Sequence, residues 1–85
     1  MPVMYEMNGY DQKTGELAFS VDVPEFRAYP ALRIAGVPLN DDGLGSYPLD
    51  AGQISEIASM LGVDIDRSDL DFFLEPYDAP QQAAG

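Results

Sequence analysis

The sequence predicts an α+β domain, in which a small antiparallel sheet is covered on one face by one or two helices. Three observations indicate this fold: two alternating segments around an N-terminal turn, one capped amphipathic helix, and one alternating segment near the C-terminus. The 85 residues, 46% of them hydrophobic, suffice for a single core. We expect one domain over residues 1–77 and a flexible tail over residues 78–85.

The N-terminal part of the chain predicts a β-hairpin. Apolar and polar residues alternate over residues 3–8 and again over residues 16–23, which is the period of a strand. Residues 11–15 form the turn between them, with aspartate at its entry and glycine at its end. Pro24 stops the second strand. The residues of that strand expected to face the core are Leu17, Phe19 and Val21.

Residues 25–37 allow two interpretations, a short helix ended by Gly36 or an irregular crossing over the core. The helix would place Phe26, Tyr29 and Leu32 on one face. Residues 38–46 contain Pro, Asn, two Asp and two Gly, a composition that predicts a loop.

Residues 50–62 carry the clearest helix signals. Asp50 stands at the N-cap, Gln53 completes a capping box three residues later, and Gly62 supplies the left-handed residue that ends helices. Tyr47 to Leu49 would enter this helix as a short extended segment. One face of the helix is apolar and comprises Ile54, Ile57, Ala58 and Leu61.

The alternating residues 69–75 predict a strand that returns to the hairpin and ends at Pro76. One face of this strand is apolar, with Leu70, Phe72 and Leu74, and the other carries Asp69, Asp71, Phe73 and Glu75. We expect most of the aromatic residues to lie in the core. Whether Phe73 and Tyr77 are buried stays undecided. Phe73 lies on the acidic face of the strand, where it is either covered by a second layer or exposed as an anchor for a partner.

Charge and composition exclude several classes of function. The chain has 15 acidic and four basic residues, and residues 41–85 contain ten of the acids and a single base, Arg67. Such a surface repels nucleic acid and anionic membranes and attracts basic proteins, although it could also serve solubility alone. With no His and no Cys, the usual catalytic triads and thiolate metal sites are excluded. We therefore predict a protein that is not an enzyme and has no cofactor.

Two further patterns concern metal and membranes. The acidic run from Asp64 to Asp71, followed by Glu75, partly matches a calcium-binding EF-hand loop. The glycine of that loop is replaced by Asp69, and Pro76 blocks the following helix, so a solvated strand edge is the better interpretation and no metal site is predicted.

No signal peptide and no apolar stretch of membrane-spanning length is present, which predicts a cytoplasmic protein.

Several short motifs resemble a family of small, uncharacterised bacterial proteins. These motifs are Gly9-Tyr10-Asp11 with Thr14 and Glu16-Leu17 in the hairpin, Tyr47-Pro48-Leu49 with Gln53 at the helix entry, and Phe72-Phe73 in the last strand. The resemblance spans residues 4–78 and includes no catalytic signature. In size and charge, the chain also resembles the immunity proteins that bacteria encode beside polymorphic or contact-dependent toxins.

The immunity resemblance and the acidic surface together predict a protein that neutralises a cognate toxin with a basic active-site cleft. The residues predicted to contact the toxin are Asp41, Asp42, Asp64, Asp66, Asp69, Asp71, Phe73 and Glu75. Two alternatives remain: a phage-type acidic mimic of nucleic acid, and a non-catalytic adaptor that binds through an apolar patch. Either edge of so small a sheet could also pair with a second copy of the chain.

Overall fold

The computed structural model describes residues 3–78 and confirms the predicted α+β class. The elements are β1 (Val3–Asp11), β2 (Leu17–Val23), a 3-10 turn (Glu25–Arg27), α1 (Ala28–Ile34), β3 (Tyr47–Pro48), α2 (Ala51–Leu61) and β4 (Leu70–Asp78). The four strands lie in the order β2-β1-β4-β3, and all neighbours are antiparallel. The predicted tail lies outside the described residues, apart from Asp78, which ends β4.

Both helices pack on one face of this sheet and enclose the core. Alternate residues of β1 and β4 point toward the helices, and Met7 and Leu74 are fully buried there against Ile57 of α2. Gly9 lies opposite Phe72 on the same face, and a Cβ at Gly9 would come within 2.9 Å of the side chains of both Leu70 and Phe72. The sheet therefore needs a glycine at this position.

The signals at the ends of α2 act as predicted. The Asp50 carboxylate accepts a hydrogen bond of 2.8 Å from the backbone N–H of Gln53, and the Gln53 side chain accepts one of 2.8 Å from the backbone N–H of Asp50. Gly62 closes the helix with φ of 72°. In addition, Nε2 of Gln53 donates to the carbonyl of Ile34 at 3.1 Å, which ties α2 to the end of α1.

The open question about residues 25–37 resolves to a helix, in which Leu32 packs against the core but Phe26 and Tyr29 do not. Phe26 is 77% exposed and Tyr29 is 60% exposed, whereas the small Ala31 is fully buried. A short helix packs close to the sheet through small residues, so Ala31 and not Tyr29 meets the core. Most other aromatic residues are at least partly buried, as expected.

Two expectations about the strands are wrong. Leu17 does not face the core, because the pairing shifts by one residue between Gly9 and Tyr10; the extra residue reverses its direction, and Leu17 lies opposite Tyr10 with 56% exposure. Pro76 does not end the last strand, which continues to Asp78. Because β3 pairs with β4 only at Phe73 and Leu74, one edge of β4 is free at Pro76, and a proline can lie there without removing a ladder bond.

Candidate partner-binding surface

The second face of the sheet is not covered by either helix, and we call it the open face. Its side chains belong to the residues that alternate with the core positions of each strand. They are Met4, Glu6, Asn8 and Tyr10 of β1, Asp71, Phe73, Glu75 and Tyr77 of β4, Leu17, Ser20 and Asp22 of β2, and Pro48 of β3.

Three carboxylates form a row across the open face. Glu6 lies directly opposite Asp22 on one side and directly opposite Glu75 on the other. Side chains that face each other in this way are about 5 Å apart at Cβ, and like charges so placed destabilise a sheet. None of the four basic residues of the chain belongs to a described strand, so no neighbouring strand residue neutralises the row. The fold therefore maintains an unfavourable concentration of negative charge at this position.

The side chain of Asn8 joins two of these carboxylates. Its Nδ2 donates to Oε1 of Glu6 at 3.0 Å and to Oε1 of Glu75 at 2.9 Å. Asn8 is only 3% exposed, and within the described chain its Oδ1 has no hydrogen-bond partner. Burying an amide whose oxygen has no hydrogen-bond partner costs free energy of folding. Stability alone would therefore not favour this network.

Glu75 is the most constrained carboxylate of the open face. Its Oε1 accepts from the hydroxyl of Tyr10 as well as from Asn8, and its Oε2 accepts from the hydroxyl of Ser46 at 2.6 Å. Burial acts to raise the pKa of Glu75, but the hydrogen bonds from Ser46, Tyr10 and Asn8 outweigh it and hold the pKa below its ordinary value. Glu75 therefore presents a fixed negative charge at neutral pH.

Aromatic rings lie beside the acidic row. Tyr10 and Phe73 pack edge to face with their ring centroids 5.8 Å apart, and both are partly exposed. Tyr77 donates its hydroxyl to Oδ1 of Asp22 at 3.1 Å. The hydrogen bond to Glu75 and burial together raise the pKa of Tyr10, which keeps this hydroxyl a donor at neutral pH.

The contact residues predicted from the sequence do not form one surface. Asp71, Phe73 and Glu75 lie on the open face, whereas Asp64 and Asp66 line an open groove of about 680 Å³ on the helix side of the sheet. The groove lies between α2 and residues 63–70, and its apolar lining includes Ile54, Ala58, Ile65 and Leu70.

The other predicted contact residues have structural partners. Asp69 is held by Arg67, whose Nε and Nη2 each lie 3.0 Å from one of its carboxylate oxygens, and this pairing lowers the pKa of Asp69. Oδ1 of Asp41 accepts from the backbone N–H of Gly43 and the hydroxyl of Tyr47, both at 2.7 Å, so it organises the loop. Asp42 caps the backbone N–H of Leu44 at 3.0 Å.

Five members of the open-face network were missed by the sequence reasoning: Glu6, Asn8, Tyr10, Asp22 and Ser46. The alternation of β1 and β2 assigns the first four to the face away from the core. However, they lie near Glu75 only because β4 pairs with β1 in the sheet. Asn8 and Glu75 are 67 positions apart in the chain.

The arrangement gives no support to the calcium interpretation. Glu75 lies on the opposite side of the sheet from Asp64 and Asp66, so these residues cannot close one loop around an ion. Among residues 4–77, no cluster of three or more acidic side chains has the geometry of a metal site. Over the same residues, neither helix has the length and apolar character needed to cross a bilayer.

The fold and the open face together define a small α+β domain with an acidic and aromatic sheet surface. Residues 4–75 match the profile of a family described as a domain of unknown function, DUF7683, and the chain belongs to that family. No curated protein and no solved structure matches the chain.

Proposed function

We propose that this protein is an immunity protein, which binds a bacterial toxin and neutralises it by filling a basic active-site cleft. The observation that carries the proposal is the excess of carboxylates without a countercharge. Among residues 4–77, whose side chains the structure describes, the single ion pair is the one between Arg67 and Asp69. A toxin that cleaves nucleic acid or nucleotides needs a basic cleft for its substrate, and a rigid acidic domain fits such a cleft.

The electrostatics favour fast capture. Complementary charge raises association rate constants from about 10⁵–10⁶ M⁻¹s⁻¹ to about 10⁸–10⁹ M⁻¹s⁻¹ at low salt. Aromatic side chains at an interface slow dissociation, since they bury a large area with little loss of conformational entropy. A protein that must inactivate a toxin before it acts needs both properties.

A rescue assay tests the proposal. The gene beside the one for this protein is expressed alone and together with it, and growth is scored. We expect the neighbour to arrest growth and this protein to restore it. A harmless neighbour, or an arrest that this protein does not relieve, contradicts the proposal. The purified pair should also lose affinity steeply as salt rises, because paired charges are screened.

An adaptor is the second candidate function, and exposed apolar residues outside the four strands favour it. These residues are Phe26, Tyr29, Leu39 and Leu44, with exposures of 77%, 60%, 74% and 57%. Tyr29 and Leu39 line one small cleft, which we call the apolar cleft. Binding through these apolar side chains would persist at high salt. A nucleic-acid mimic would instead bind several unrelated basic proteins and release all of them in salt, so a salt-graded pull-down separates the three functions.

A further inference from the structure

We propose that the open face is the surface on which the partner docks, and that it receives an arginine of the partner between Glu75 and Glu6. The inference deepens the proposed function, on which it depends for the biological identity of the partner. The recognition chemistry is independent of that identity, because it follows from the side chains of three adjacent strands.

The negative charge of the open face favours a cationic occupant. Asp22, Glu6 and Glu75 form a row in which each carboxylate faces another, and no strand of the described chain contributes a lysine or arginine. A cation that docks on this row relieves a repulsion built into the free protein. The same row disfavours a second copy of this chain as the occupant, since two such faces would oppose six carboxylates.

The carboxylates of Glu75 and Glu6 retain unused capacity to accept hydrogen bonds. Glu75 accepts three hydrogen bonds, of the four or so that a carboxylate can accept, and its remaining capacity lies on Oε2. Glu6 accepts one, from Asn8, and its Oε2 is unused among the described contacts. Because one nitrogen of Asn8 contacts an oxygen of each carboxylate, the two carboxylates lie close enough together for a single cationic group to reach both.

The acceptors and rings of the open face suit a planar cation. A guanidinium is planar and has five donors in a rigid fork, so it can bridge two carboxylates, whereas an ammonium is a compact point charge. A guanidinium also stacks on aromatic rings, and the packed rings of Tyr10 and Phe73 lie next to the two carboxylates: Phe73 is directly opposite Asn8, and Tyr10 donates to Glu75. These features favour arginine over lysine.

A peptide titration followed by NMR tests the inference without requiring the toxin. The probe is acetylated tri-arginine amide, and its lysine and citrulline counterparts serve as matched cationic and neutral peptides. The reporter is the side-chain amide of Asn8, which contacts both carboxylates. We expect saturable shifts of this amide with the arginine peptide, weaker shifts with lysine, none with citrulline, and loss of binding in high salt.

Charge-neutralising variants locate the site. Glu75→Gln and Glu6→Gln should each weaken arginine binding about three- to tenfold, the effect of removing one partly exposed charged hydrogen-bond partner. Asp64→Asn and Asp66→Asn make the same change of charge beside the groove, and each should alter affinity less than about twofold. Two variants on each side keep the comparison valid if one of them fails to fold.

Four results would overturn the inference. Three concern the peptides: equal losses of affinity in both pairs of variants, equal affinity for the arginine and lysine peptides, and peptide binding that persists in high salt. The fourth is a set of open-face shifts that depend on protein concentration without peptide, which would assign the face to a second copy. Failure of the rescue assay contradicts only the proposed function, since arginine binding to the open face does not depend on it.

Discussion

Asn8 and Glu75, 67 positions apart in the chain, are joined across β1 and β4 by a hydrogen bond of 2.9 Å from Nδ2 to Oε1. The same nitrogen also donates to Glu6, so a single buried amide holds two like charges side by side. The contact lies on the sheet face that the helices leave uncovered.

Neutralising Glu6 should stabilise the free protein. Glu6→Gln removes the repulsion with Asp22 and Glu75 and keeps an oxygen that can accept from Asn8, so the free energy of unfolding should rise by about 0.2–1 kcal/mol. Urea unfolding at low and high salt measures the change, and the gain should shrink in high salt. Glu56→Gln on the exposed side of α2 is the control, since no acid lies three or four residues from Glu56. An equal gain in the free energy of unfolding in both variants would contradict the repulsion among Asp22, Glu6 and Glu75.

Glu75 should stabilise the fold at neutral pH and cease to do so in acid. Its folded-state pKa lies below the ordinary value of 4.5, so its contribution is present above that value and is lost as the pH falls through the folded-state pKa. The difference in the free energy of unfolding between wild type and Glu75→Gln should therefore be largest near neutral pH and decrease below pH 4.5. Denaturant titrations across this range measure it. A difference that stays constant, or grows in acid, contradicts the role of the three donors.

Gly9 should not tolerate a side chain. Its added Cβ would lie 2.9 Å from atoms of Leu70 and Phe72, both buried in the core, so Gly9→Ala should cost about 1–3 kcal/mol. Gly52→Ala is the matched control: the nearest atom to that Cβ is a carboxylate oxygen of Asp50 at 3.4 Å, and alanine in α2 should gain up to about 1 kcal/mol. Thermal or urea unfolding of both variants compares them, and equal stabilities would show that the β1–β4 approach is looser than described.

The loop over residues 38–46 should depend on Tyr5. The hydroxyl of Tyr5 donates to the carbonyl of Gly43 at 2.7 Å in a buried contact, and Tyr5→Phe leaves that carbonyl unsatisfied at a cost of about 1–2 kcal/mol. Hydrogen exchange at the amides of Gly43 and Leu44 should accelerate. Tyr77→Phe, which loses only an exposed bond to Asp22, should leave exchange in the loop unchanged. Unchanged exchange in Tyr5→Phe would mean that Asp41 alone organises the loop.

Local patterns predicted the elements well, because each signal acts within a few residues. Asp50, Gln53 and Gly62 define the ends of α2 by contacts inside one helical turn, and the sequence shows them directly. Leu17 was misassigned because a bulge adds one residue to a strand and reverses the face of everything beyond it. Local alternation does not reveal that extra residue.

The candidate surface was predicted only in part, since its composition depends on strand order. The sequence assigned Asp71, Phe73 and Glu75 to the acidic face of the last strand, and they lie together on the open face. It also grouped them with Asp64 and Asp66, which are close in the chain but lie on the other side of the sheet. Where a loop connects a helix to a strand of the sheet, residues that are close in the chain need not lie on the same surface.

Methyl NMR on the complex with the partner protein tests the central claim most directly. Each candidate surface has its own methyl reporters: Met4 and Leu17 for the open face, Ile54 and Ile65 for the groove, and Leu32 and Leu39 for the apolar cleft. We predict that adding the toxin identified by the rescue assay shifts Met4 and Leu17 and leaves the other four methyl-bearing residues unchanged. Shifts confined to the groove or to the apolar cleft would contradict this prediction.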